Sequence, residues 1–210
     1  MTKLDLHNLA RPEAFQTTTS IKVRARALEI AREITGRVLD VGCGNGLFLL
    51  AWNAAETAPR FNLGLDYDES AVREASQLFL DNGLEAGRFI VGDAFCMPFP
   101  DNYYDAVFCL NTLINLHPFS RIETLIKEMH RICRPGGKII FDYRNAYNPY
   151  LQFKYILNSV TGRLTTHGHR WRTFQPAMGR LKLRILRRLA IASPIPFAPL
   201  GYMMVLEKET

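Results

Sequence analysis

An α/β protein with a doubly wound, mostly parallel sheet and helices on both faces is the fold class this sequence predicts, and three observations predict it. Short apolar runs rich in β-branched residues (Val38–Val41, Phe61–Asp66, Arg88–Val91, Tyr103–Leu110, Lys138–Asp142) alternate with helical periodicities over short connections. That alternation requires crossovers, and crossovers make the strands parallel. The first run leads through three alternating glycines into the apolar helical run Leu47–Trp52: a strand, a tight turn and a helix. The third observation is size: 210 residues, 48% hydrophobic and 22% charged, suit one sizeable core and a single domain over residues 1–210.

In order, Val23, Ala27, Ile30 and Ile34 recur at helical spacing, so Ser20 to Ile34 reads as a leading amphipathic helix that Thr19 or Ser20 can cap. Lys22, Arg24 and Arg26 fall on its solvated side. The strand Val38–Val41 then opens into Gly42-Cys43-Gly44-Asn45-Gly46. Glycine there permits positive φ and lets a ligand lie against the backbone, while the following helix points unpaired N–H groups at the same spot. Asp66 ends the next strand about 20 positions beyond the glycine turn, placed to accept hydrogen bonds from ribose hydroxyls. A nucleoside-bearing cofactor follows. The dinucleotide fingerprint G-x-G-x-x-G requires a glycine where Leu47 stands; the spacing here is G-x-G-x-G, preceded by Asp40 inside the strand.

This glycine turn resembles the first motif of the class I S-adenosylmethionine (AdoMet) methyltransferases, and the elements beyond it extend the resemblance. A helix with Ala71, Val72, Ala75, Leu78 and Phe79 on one face ends at Asn82-Gly83. The third strand leads to Gly92-Asp93-Ala94-Phe95, similar to the family's third motif. Pro98-Phe99, Asp101 and Tyr104-Asp105-Ala106-Val107 match the pattern P-F-x-D-x-x-F-D-x-V, with Tyr104 in the aromatic position. A helix bearing Ile122, Leu125, Ile126, Met129 and Ile132, then Arg134-Pro135-Gly136-Gly137, then a strand, is a further match. The resemblance covers Val38 to Asp142. It implies AdoMet as cofactor, with S-adenosylhomocysteine as product and no metal. It assigns cofactor contacts to Asp40, Gly42, Cys43, Gly44, Asn45 and Gly46, to Asp66 and Tyr67, to Asp93 and Ala94 at the adenine, and to Asn111 and Thr112 at the methionine part.

Beyond Asp142 the pattern is less regular. Tyr143–Tyr150 is aromatic and polar, and Leu151 to Val160 reads as a short helix broken at Thr161-Gly162. In this family inserts after the fifth strand commonly form the lid over the substrate, so residues 143–175 are expected to be a lid and substrate insert, folding from Tyr147 to Trp171. Residues 176–210 are expected to be closing strands, with Leu181 to Ile191 mostly strand, prolines at 194, 196 and 199 forcing a loop, and Gly201–Leu206 a last strand. By resemblance these complete a Rossmann-like seven-stranded sheet over a 20–142 cofactor core, the last strand antiparallel and the helix before the closing pair shortened.

Net charge is +6, unevenly spread: Met1 to Asp142 holds 15 Lys and Arg against 18 Asp and Glu, whereas Tyr143 to Leu206 holds ten basic residues and no acid. Arg163, Arg170, Arg172, Arg180, Lys182, Arg184, Arg187 and Arg188 therefore predict an anionic or amphiphilic acceptor, or peripheral contact with a membrane, against the alternative of a solvated basic face. Nucleic acid is disfavoured, because the basic residues alternate with apolar ones that a closing sheet would bury. Cys43, Cys96, Cys109 and Cys133 lack metal spacing and read as reduced thiols; with no signal-peptide region and no run near the ~20 apolar residues of a bilayer span, a cytoplasmic location is expected. The predicted function is an AdoMet-dependent methyltransferase acting on a small-molecule or lipid-like acceptor. A non-catalytic AdoMet-binding module, an NAD-type oxidoreductase and a nucleic-acid methyltransferase are the alternatives. His117 and His169 are the candidate bases for a hydroxyl acceptor, since histidine titrates near neutral pH.

Overall fold

The computed structural model describes residues 18–55, 61–85, 88–160, 167–193 and 195–209. Seven strands form one sheet in the order β3-β2-β1-β4-β5-β7-β6. They are β1 (Arg37–Val41), β2 (Phe61–Asp66), β3 (Phe89–Val91), β4 (Tyr104–Cys109), β5 (Cys133–Arg144), β6 (Leu183–Ile191) and β7 (Gly201–Lys208). The first five pair in parallel, and β7 runs antiparallel to both β5 and β6. The order reverses between β1 and β4, so a crevice opens at the carboxyl ends of those two strands, where doubly wound sheets bind ligands.

One face is covered by α1 (Thr18–Ala31), α2 (Leu47–Ala54) and α3 (Glu69–Asp81), where Phe48, Trp52 and Phe108 pack with ring centroids 5.0–5.6 Å apart. The other is covered by α4 (Phe119–Ile132) and α6 (Trp171–Arg180). All five apolar positions read as the α4 face are buried against the sheet, each contributing ~1.5–3 kcal/mol of transfer free energy. Asp105 of the resemblance pattern has a structural task. Its carboxylate accepts the Arg37 backbone N–H (2.7 Å) and Arg134 Nε (2.6 Å), stitching the start of β1 to the Arg134-Pro135-Gly136-Gly137 turn.

The carboxyl-terminal part departs from expectation. A ten-residue helix, α6, runs through the predicted boundary at 175/176, and β6 begins at Leu183 rather than Leu181. α6 is ordered by burial of Phe174, Ala177 and Met178, despite Pro176 in its interior. The fifth strand extends from Cys133, with Gly136 at φ +70° and a shift of register between Tyr104 and Ala106 of β4. α5 (Pro149–Val160) stands where a short helix is expected. Arg163 and Pro194 lie outside the described residues.

Candidate cofactor and acceptor site

The glycine turn leaves β1 with φ of +70° at Gly42, +50° at Gly44 and +72° at Gly46, values that side-chain-bearing residues avoid. At two of these glycines an added Cβ would meet protein. A Cβ on Gly42 would lie 2.3 Å from Thr112 Oγ1, and one on Gly46 would lie 2.7 Å from the Phe89 ring. At the third, the Gly44 N–H donates to Asp66 Oδ2 (2.7 Å), while Asp66 Oδ1 accepts the Asp68 N–H (3.0 Å). Asp66 thus latches the turn to the end of β2. A carboxylate offers about four lone-pair positions, so two backbone donors leave room for two ribose hydroxyls. Asp68 carries the chain onward by capping α3, accepting the Ser70 N–H at 2.9 Å.

Asp40 lies within β1 at 2% exposure, and its Oδ1 has no hydrogen-bond partner. Burial, with the Asp66 charge second, pushes its carboxyl well above the usual carboxylate range. An orphaned acid behind the turn can accept from a donor-bearing ligand, and α2 starts at Gly46 without a side-chain cap, leaving its first N–H groups facing the turn. Both observations fit AdoMet, which brings an ammonium and a carboxylate. Cys43 is buried, and that burial raises its thiol pKa, so it packs rather than reacts. The Asn45 side chain donates to Glu74 (Nδ2 to Oε1, 3.1 Å). The Tyr67 ring is exposed to solvent beside Asp66. Beyond β3, Asp93 Oδ1 accepts the Phe95 N–H at 2.8 Å, with Ala94 half-buried between them. Beyond β4, the Thr112 hydroxyl donates to Leu110 O (3.1 Å), with Gly42 O 3.4 Å away. These residues follow the carboxyl ends of β3, β2, β1 and β4, four adjacent strands, and therefore line one continuous edge.

A buried network that sequence reasoning missed closes the edge at β5. Arg144 Nη1 donates to Asp142 Oδ2, Arg144 Nη2 donates to Asn111 Oδ1 (2.8 Å), and the Asn111 N–H donates to Asp142 Oδ1 (2.6 Å). Asn111 sits at φ +56°, and this closed ring holds it there.

The two candidate bases come to the same rim. His117 is exposed and stacks on His167 with ring centroids 4.6 Å apart; His169 is buried against Phe119 and Phe174. The His169 backbone N–H donates to Arg144 O (2.7 Å), and the His167 N–H to Ile114 O (3.0 Å), which straps this segment across the end of β5. Burial, with His167 second, lowers the His169 pKa, while a hydrogen bond with the Leu113 backbone opposes the shift; its Nε2 has no partner. The spacing His167-Gly168-His169 was the one signal that could have pointed to His167.

Residues 38–137 match a family described as a methyltransferase domain. The matched stretch is just under half of the chain, and it likens that stretch to the methyltransferases. The chain is 32% identical over 130 residues to a demethylmenaquinone methyltransferase of Geobacillus kaustophilus, covering 58% of this chain and 53% of that protein. It is 34% identical over 113 residues to a fatty-acid O-methyltransferase of Mycolicibacterium smegmatis, covering 53% of this chain and 39% of that one. The chain spans about half the length of the curated demethylmenaquinone methyltransferase, or less of the fatty-acid enzyme. Among solved folds, magnesium protoporphyrin IX methyltransferase from Synechocystis, with bound S-adenosylhomocysteine, superposes with a TM-score of 0.71 at 17% identity over 97% of this chain and 91% of that one.

Proposed function

We propose that the chain is an AdoMet-dependent methyltransferase acting on a small, lipid-like acceptor. The observation that carries the reading is the latch of Gly44 to Asp66 beside the orphaned carboxyl of Asp40, at the switch point of the sheet. AdoMet, when bound, supplies a methyl group already activated on a sulfonium. Asp66 would hold the ribose, Asp93 and the Ala94 amide the adenine edge, and Asn111 and Thr112 the methionine part, with Asp40 behind the turn. The chain's task is then positioning and exclusion of water. For a hydroxyl acceptor a base is needed at the rim, and His169, kept neutral by burial, suits that task better than exposed His117. The segment from Tyr147 to Trp171, of which residues 161–166 lie outside the described residues, would cover the acceptor as a lid.

The acceptor class draws support from relatives whose names specify demethylmenaquinone and a fatty acid. The basic segment supports it less than its sequence suggests, because Arg180, Arg184 and Arg187 pair with Glu123, Glu207 and Glu33. The test is transfer of labelled methyl from AdoMet to demethylmenaquinone, a fatty acid and tRNA, each dispersed separately in detergent. Label in an extracted lipid is expected. Label in tRNA would favour a nucleic-acid enzyme, and binding of S-adenosylhomocysteine with transfer to none of the three would favour a binding module.

A further inference from the structure

At the crevice end of the sheet, α5 and the β6–β7 turn form one unit whose outer face is apolar and, among the described residues, uncovered. The Asn145 side chain donates to Pro199 O (3.1 Å) and that of Asn148 to Pro199 O (3.2 Å), tying the start of α5 to the turn. Gly201, where β7 begins, pairs with Arg144 at the carboxyl end of β5, beside the Asn111–Asp142–Arg144 network. Leu151 anchors α5 in the core, yet Phe153 is 68% exposed, Ile156 63% and Tyr147 65%. Phe197 in the turn is fully exposed and held at φ +62°. Bulky residues avoid that conformation, so backbone and solvent both oppose this placement unless something covers the ring.

The charge around the face says what covers it. Lys154, Arg170 and Arg172 are exposed and, among the described residues, enter no ion pair; Arg170 lies over the Tyr147 ring at 5.2 Å. No acid occurs from Tyr143 to Leu206. A second copy of the chain would set this positive rim against itself. An anionic lipid surface would be attracted by the rim and would accept the aromatic and aliphatic groups at its interface. α5 has twelve residues, about 18 Å of helix against the ~30 Å of a bilayer core, so it can lie in the interface but not cross it.

We infer that α5 and the Phe197 turn dock this protein on anionic membrane surfaces, with the crevice mouth turned to the bilayer. The inference rests on the lipid-like-acceptor reading for its purpose, not for its evidence. The test is flotation of the full chain with vesicles of phosphatidylcholine alone and with added phosphatidylglycerol. Binding to the anionic vesicles, weakening as salt rises, is expected. Phe197→Glu should lower that partition about tenfold while affinity for S-adenosylhomocysteine stays unchanged. Phe197→Gly relieves the backbone and should raise the melting temperature while still lowering partition, which separates docking from folding. Equal partition into both vesicle types, or an undiminished partition in the glutamate variant, would overturn the inference. So would a wild-type dimer that the same variant converts to monomer, since the face would then belong to a second copy. Methylation of a detergent-dispersed lipid by a protein that ignores vesicles sinks only the docking; anionic-vesicle binding without any lipid methylation sinks only the acceptor class.

Discussion

Asp142 and Arg144 are two residues apart on one strand, and their side chains, 0% and 5% exposed, share a hydrogen-bonded ring with Asn111. Removing one member of a buried ion pair strands the other charge, at about 3–5 kcal/mol. Asp142→Ala should therefore lose that much stability in urea unfolding, whereas Asp142→Leu combined with Arg144→Met should cost markedly less, because both charges leave together. Equal losses in the two variants would mean that packing, not charge, holds this end of β5. Nothing local announces the ring: Asp-x-Arg at the end of a strand reads as ordinary alternation, and Asn111 is 31 residues away. The Gly44–Asp66 latch is the opposite case. It spans 22 residues, but the glycine spacing and the acid ending the next strand are both local patterns, and they place the turn and its partner from sequence alone. The pattern reads the positive φ of all three glycines correctly; what it does not show is that a Cβ at Gly42 or Gly46 would meet Thr112 or Phe89, which only the folded chain brings near.

At the scale of elements, every β-strand and α-helix through β5 is legible, because strand and helix periodicities alternate without conflict, although β5 begins at Cys133 rather than Lys138. α6 is legible only as the shortened helix expected before the closing pair, since Pro176 and Gly179 argue against a helix at this place while burial of Phe174 and Met178 decides for one. That packing also carries a pH signature. α6 helps enclose His169, whose pKa burial lowers, and His130 on α4 is lowered for the same reason. For a histidine with a depressed folded pKa, the unfolded chain binds more protons between the two values, so stability rises with pH across that window. It is fully present above the unfolded value of about 6.5 and declines as pH falls below it, until the folded-state values are passed. The melting temperature should fall on acidification from neutral pH, and His169→Phe should flatten part of that slope. An unaltered slope would assign the effect to His130 alone. If His169 is the base, the same variant should abolish transfer to a hydroxyl acceptor without weakening cofactor binding.

For the whole molecule, the charge asymmetry of the sequence is offset in part, because Glu33 of the first half meets Arg187 of the last and Glu123 meets Arg180, while Lys154, Arg170 and Arg172 enter no ion pair among the described residues. Sequence order could not reveal this, since the partners are brought together only when β6 closes the sheet edge. The proposed cofactor site lies along one edge of the sheet, from β3 to β4, and binding there would be coupled to folding. A ligand that binds only the folded state at 100 times its dissociation constant stabilises by ~2.7 kcal/mol. In a domain of this size that corresponds to about 5–10 °C in melting temperature. AdoMet and S-adenosylhomocysteine should both produce such a shift, and NAD should not. Asp66→Ala removes the acceptor for Gly44 and for the ribose together, and losing a hydrogen bond to a charged group costs about 1.5–3 kcal/mol. It should therefore lower the unliganded melting temperature and weaken both ligands, so that their shifts shrink at fixed ligand concentration. Full shifts in Asp66→Ala would remove the latch from the cofactor site, and a shift with NAD alone would move the chain's chemistry from methyl transfer to hydride transfer.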